Sequence, residues 1–266
     1  MSVSTAHRLS VVITLVLLAL CSSSSADELG SFSGQFILSG ELPKLKMIPG
    51  ELGKLVVDES LLVDPKTQGI ANILVTLQVL PGEKVPPVPK LDPMPARLTL
   101  VDHRFEPRMV LVRAGQKLAI ENIDRDIRHA KCDFATNESF NMVFKPGLTR
   151  DVELKHGEKL PSPLISSLDP SMRGFLVVTD HPYAAVTDRN GRFEMTGLPP
   201  GEWNFRAWHE RDGYVEAVEL EGKVTNWQKG QFMRKIAGGK NDLGVIQVSQ
   251  EEMKSRDQRQ GDAHAR

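Results

Sequence analysis

Apolar residues in this chain come in short runs, alternating with polar ones or continuous, rather than at the spacing of a helix. Residues 32–38 alternate around Gly34, 55–63 read as a strand on both sides of Asp58-Glu59, and 70–80 form a strongly apolar strand. A second set covers 97–101, 109–113, 117–122, 149–154 and 174–179, with turns at Gly115 and Gly147. Further on, 184–187 and 192–196 flank Asp188-Arg-Asn-Gly191, the pattern of a hairpin closed by an Asn-Gly turn. After Gly197-Leu-Pro-Pro-Gly201 another strand covers 203–209. The pattern predicts an all-β protein.

Two stretches break the rhythm. Residues 81–95 hold six prolines in fifteen positions, too many for a ladder of hydrogen bonds, and read as an extended connector at a boundary. Residues 251–266 are charged, lack apolar periodicity and read as a disordered tail.

The N-terminus reads as a secretory signal over residues 1–26: Arg8, an apolar run over 11–20, and the small-residue ending Ser24-Ser25-Ala26. That run is too short to span a bilayer, so no transmembrane anchor is expected and the chain reads as secreted or periplasmic. Cys21 could mark a lipoprotein, but Leu20 before it fits a lipobox poorly. Cleavage leaves about 240 residues, room for one large or two small cores. The formal net charge of the whole chain is -1, which points to neither nucleic acid nor an anionic membrane as a partner. Beyond the leader Cys132 is the one cysteine, which excludes an intramolecular disulfide. Its thiol is a buried small hydrophobe, a metal ligand or an intermolecular link.

Three stretches carry family resemblances. Phe105-Glu-Pro-Arg-Met-Val-Leu-Val-Arg-Ala-Gly115, continuing to Asn122-Ile-Asp-Arg-Asp-Ile-Arg-His129, resembles the first half of a cupredoxin, where F-x-P, a Gly turn and N-x-D lead to the first histidine ligand. Residues 172–210, with DHPYAAVTD, LPPGEW and AWHE, are similar to secreted bacterial cupredoxin-like proteins of the plastocyanin-like or methylamine-utilisation type. Ser33-Gly-Gln-Phe-Ile-Leu-Ser-Gly40, Gly69-Ile-Ala-Asn-Ile-Leu-Val-Thr-Leu77 and Asp188-Arg-Asn-Gly-Arg-Phe193 with Leu198-Pro-Pro-Gly201 resemble the outer strands of a carboxypeptidase-regulatory, transthyretin-like sandwich. The resemblances imply a cupredoxin-like Greek-key sandwich over 96–180, inserted in a discontinuous transthyretin-like β-sandwich made of 27–95 and 181–250.

A blue-copper centre uses two imidazoles, one thiolate and a weak axial thioether. The family takes the last three from a Cys-x-x-His-Pro-x-Met loop, and the segment Leu160-Pro-Ser-Pro-Leu-Ile-Ser-Ser-Leu-Asp-Pro-Ser-Met172 stands in its place. That register keeps Met172 and Pro170 but puts Ser166 at the cysteine and Asp169 at the second histidine. Of the implied ligands His129 and Met172 remain, with Cys132 as a substitute thiolate three residues after His129. The copper site therefore reads as degenerate.

His181 and His209 read as hydrogen-bonded structural histidines, and His103, His156 and His264 as solvated. Trp203 and Trp208 fall on opposite faces of one strand, where packing is expected. No Gly-x-Ser-x-Gly, His-Glu-x-x-His or phosphate loop occurs, and Asp58-Glu59 and Glu210-Arg-Asp212 read as solvated turns, so no enzyme is expected. The expected role is a non-enzymatic binding or structural module of the cell envelope, its partner an envelope protein or a surface glycan. The alternatives are a copper electron carrier using His129, Cys132 and Met172, and a carbohydrate-binding module.

Overall fold

The computed structural model describes residues 28–79 and 86–254. The expected signal peptide and most of the expected tail lie outside these residues. The first segment contributes β1 (Gly30–Ser39), β2 (Met47–Pro49), β3 (Leu55–Val57) and β4 (Leu74–Gln78). There follow β5 (Ala96–Val101), β6 (Arg104–Glu106), β7 (Met109–Arg113), β8 (Lys117–Asn122), β9 (Arg128–Cys132), β10 (Phe140–Phe144), β11 (Thr149–Glu153), β12 (Ser162–Ile165) and β13 (Arg173–Thr179). The chain then returns through β14 (Ala184–Val186), β15 (Arg192–Leu198), β16 (Gly201–His209), β17 (Gly213–Tyr214), β18 (Ala217–Leu220), β19 (Lys223–Asn226), β20 (Gln231–Ile236) and β21 (Gly239–Ser249).

Strand pairing sorts these into two sandwiches. The outer one joins the sheet β15-β1-β21-β18-β19 to the sheet β14-β4-β16-β17, with β20 also on β16. Sequence-distant strands meet in it: β4 runs antiparallel to β16 with Phe205 opposite Leu77, and β1 antiparallel to β15 with Gly34 opposite Phe193. Its core is aromatic, with Phe32, Phe36, Phe205, Trp227 and Phe232 all buried. The strict alternation of buried and half-buried positions along β1 is what a strand with one core face requires.

The inner sandwich joins the sheet β10-β9-β12-β13-β7 to the sheet β11-β8-β5-β6, all from residues 96–179. Leu98, Ile120, Phe144, Leu164 and Leu176 fill the space between them. The outer faces of β7 and β13 are apolar as well, which alternation alone does not explain. They carry Met109, Phe175 and Val177, which pack on Leu74, Val186 and Trp208 of the outer sandwich. Phe175 and Trp208 meet edge to face at 5.1 Å. The sheets therefore stack in four layers with three apolar seams.

The expected hairpin at Asp188-Arg-Asn-Gly191 is corrected. The turn forms, with Asp188 Oδ1 accepting the N–H groups of Asn190 at 2.8 Å and Arg192 at 2.9 Å. Its two flanking strands do not pair with each other: β14 joins β4 in one sheet and β15 joins β1 in the other. The backbone of β1 captures the turn, Phe36 donating its N–H to the Gly191 carbonyl at 2.8 Å. A Cβ on Gly191 would stand 2.0 Å from the Phe36 carbonyl oxygen, and its φ of 75° is left-handed, so only glycine fits. The tail is corrected at its start: 251–254 turn back and Met253 is buried in the outer core. Only 55–57 of the strand expected over 55–63 is a strand; it pairs with β2 in an arm, while Leu61 and Val63 pack against the outer core.

Candidate metal centre

The loop after β12 is held by its own short polar side chains, as Ser and Asp do when they accept N–H groups two or three residues on. Ser166 Oγ accepts from the amides of Leu168 at 3.3 Å and Asp169 at 3.2 Å. Asp169 Oδ1 accepts from the Ser171 amide at 3.0 Å and the Ser171 hydroxyl at 2.6 Å. Ser166 and Asp169 thus fold the loop.

His129 lies on β9, opposite Val143 of β10. The Ser167 N–H donates to its Nδ1 at 2.9 Å, so Nε2 carries the proton and donates to Asn141 Oδ1 at 2.6 Å. The lone pair a metal would need is engaged by the loop backbone. Cys132 lies three residues along the same strand, and residues three apart on a strand point to opposite faces. Cys132 is buried in the inner core with Ala130, its Sγ 3.9 Å from the Ser162 carbonyl. Burial pushes its thiol up to about 12, with Asp133 and Glu158 adding to the effect. Met172 belongs to the same core. The structure thus brings Ser166 and Asp169 together in one loop and puts Cys132 and Met172 in the core, but leaves His129 on the other face from Cys132.

Asn122, from the N-x-D element, has a local structural role. It is buried, donates through Nδ2 to the carbonyls of Asp126 and Phe144, and accepts the Asp124 amide at 3.0 Å.

Sequence reasoning missed the polar cluster that does assemble here. His103, expected to be solvated, sits in the two-residue turn between β5 and β6, where both Asp102 and His103 have left-handed φ. Its Nδ1 stands 2.7 Å from Asp169 Oδ2 and 3.3 Å from Glu51 Oε2. Glu51 reaches over from the β2–β3 arm, and the buried Arg128 pairs with it at 3.1 Å and with Asp124 at 2.6 Å. Burial works against ionisation of Asp169, yet hydrogen bonds from Ser171 and His103 hold its carboxyl below the usual carboxylate range. One ligand atom each from Glu51, His103 and Asp169 falls within 4.8 Å of the others. No spacing rule links an arm, a hairpin tip and a loop, so no sequence signal could have shown this group.

A cleft of about 1600 Å³ opens between the arm and the two sandwiches, lined among others by Met47, Arg104, Phe175, Trp208 and Arg211. Several of its charged residues are paired, which corrects two turns expected to be solvated. Arg108 holds Glu210 through two bonds of 2.5 and 2.7 Å, joining the two sandwiches. Asp58 is 3.7 Å from Arg211, and Glu59 2.7 Å from Arg104. Two further histidines are structural: His209 is buried and accepts the Arg211 amide at 3.3 Å, and His181 stacks on Tyr183; His156 is exposed, and the expectation for His264 lies outside the described residues. Trp203 packs in the outer core and Trp208 in the seam between sandwiches. Among the described residues no helix is long and apolar enough to cross a membrane.

No protein-family model and no curated protein matches the chain. Among solved structures it is similar to a copper-containing nitrite reductase from Thermus scotoductus SA-01, at 20% identity over 39% of this chain and 25% of that one, with a TM-score of 0.31. It is also similar to a purple cupredoxin from Nitrosopumilus maritimus, at 12% identity over 32% of this chain and 99% of that one, with a TM-score of 0.27. A reduced amicyanin mutant matches at 12% identity over 40% of this chain and 98% of that one, with a TM-score of 0.29. Likenesses of this size decide nothing about the site. The strand pairing itself makes the chain an all-β protein of stacked sandwiches.

Proposed function

We propose that the chain is a non-enzymatic, cupredoxin-like module inserted in a transthyretin-like sandwich, in which a copper-binding constellation has been replaced by internal hydrogen bonds, and that it serves as a binding or structural module of the cell envelope. The observation that carries this reading is the use made of the donors. His129 gives its lone pair to the Ser167 amide, and Asp169 is bound to Ser171 and His103. The thiol of Cys132 is buried and held protonated far above neutral pH. The cleft beside the arm, lined by Trp208 and Phe175 together with charged residues, offers the depth a partner would need.

The test is an absorption spectrum of the mature protein with one equivalent of Cu(II). A blue centre owes its intense visible band to copper–thiolate bonding, so the wild type should stay without it and the Cys132→Ser variant should give the same spectrum. An intense band that disappears in Cys132→Ser would overturn the proposal in favour of an electron carrier.

A further inference from the structure

We propose that Glu51, His103 and Asp169 form a site for a divalent cation of zinc type, which shares with the implied copper ligand set only the loop position of Asp169 and pins the β2–β3 arm to the inner sandwich. The proposal stands whether or not copper binds elsewhere.

Four observations carry it. The first is convergence: a nitrogen and two carboxylate oxygens arrive from three chain segments, and the His103 contacts of 2.7 and 3.3 Å lie inside the ~3.4 Å that separates ligand atoms around a tetrahedral zinc. The second is outer support, which oriented metal ligands usually have. Ser171 holds Asp169 Oδ1 with two hydrogen bonds, so Oδ2 is the oxygen facing His103, and Arg128 fixes Glu51 through the same Oε2 that faces His103.

The third is charge. Arg128 pairs with Glu51 and Asp124, and Asp169 pairs with His103, so the cluster holds three carboxylates and one guanidinium. One divalent ion would offset the excess. Asp169 is 1% exposed, and a carboxylate so far from water requires a close counter-charge. The fourth is donor type. One imidazole and two carboxylates, with no sulfur among them, suit Zn²⁺ and not Cu(I). On binding, the His103 proton moves from Nδ1 to Nε2, and Nδ1 gives its lone pair to the metal.

The site would also act on the arm. Glu51 sits at the tip of the arm while His103 and Asp169 belong to the inner sandwich, so the ion would close one against the other and shield Lys54, which is exposed beside the tip.

The mature protein should be titrated with Zn²⁺ by calorimetry and digested with trypsin in parallel. We expect one zinc per chain, affinity at least tenfold weaker in Glu51→Gln and in His103→Asn, and cleavage after Lys54 slowed by zinc in the wild type alone. Asparagine tolerates the left-handed φ of 61° at position 103, so that variant keeps the turn. An unchanged circular dichroism spectrum would verify this. No binding at 100 µM zinc, or binding unchanged in both variants, would overturn the proposal; the latter would assign the metal to another histidine such as exposed His156. The copper spectrum reports on the Cys132 thiolate and is blind to this site, so the two proposals fail separately.

Discussion

Replacing Arg108 with methionine should cost far more than the loss of a surface ion pair, because it strands a carboxylate between two sandwiches. The side chains of Arg108 and Glu210 are 13% and 7% exposed, and two bonds of 2.5 and 2.7 Å join them. Exposed pairs contribute about 0–1 kcal/mol. Removing one partner of a buried pair costs about 3–5 kcal/mol, since the remaining charge keeps its desolvation penalty without its counter-ion. The cleft lets some water reach this pair, which argues for the lower end, about 3 kcal/mol. For a chain of this size that is a fall in Tm of roughly 6–12 °C. Methionine keeps most of the aliphatic volume, so the effect isolates the charge. Burial already raises the Glu210 carboxyl against the pull of Arg108, and without the guanidinium it rises further. A carboxyl whose folded pKa is raised favours the folded state when protonated, and that advantage is lost as pH rises. The penalty in Arg108→Met should therefore be smaller at pH 5 than at pH 7. Adding Glu210→Leu removes the orphaned charge and should recover all but about 1 kcal/mol. Urea unfolding of the wild type, both single variants and the double variant closes the cycle. A single-variant loss under about 1 kcal/mol, or additivity of the two changes, would refute the argument.

Two further outcomes rest on buried titratable groups. Burial, aided by Arg211, pushes His209 down to about 3, so the unfolded chain takes up a proton near pH 6.5 that the folded one refuses. Stability should fall as pH drops from 6.5 toward 3, by about 2 kcal/mol between pH 7 and pH 5, and His209→Gln should remove that slope in urea titrations. An identical slope in the variant would show that other groups drive it. Cys132 is 0% exposed with its thiol pushed up to about 12, so a thiol reagent at pH 8 should label it only after unfolding. Rapid labelling of the native protein would place the thiol within reach of solvent.

Strands with one apolar face were legible in the sequence, and β1, β5, β7, β8 and β13 lie within a residue or two of where alternation puts them. β9 and β10 were not, because their outward positions are charged or polar and β10 reads Phe-Asn-Met-Val-Phe, with an exposed valine breaking the alternation. The Asn-Gly turn was legible as a turn but not as a crossing between sheets, since Phe36, which captures it, lies far away in sequence. Ser166 and Asp169 could be read as departures from a ligand pattern. What they do instead could not, because it depends on Ser171, His103 and Glu51 meeting in space. Glu210 read as part of a solvated turn for the same reason, since its partner Arg108 lies about a hundred residues away in sequence.

Leu77 donates its N–H to the Tyr183 carbonyl at 2.9 Å, so the chain leaves the outer sandwich and rejoins it at nearly one point. That closure makes the two sandwiches unequal in folding. The inner one is assembled from contiguous sequence, and losing the outer one would leave it with two free ends. The outer one must close a loop of roughly 100 residues if the inner one is unfolded, an entropic cost of about 4 kcal/mol that vanishes once the insert holds its ends together. Assembly should therefore begin inside and finish outside, and damage to the inner core should be felt in the outer sheets more strongly than the reverse.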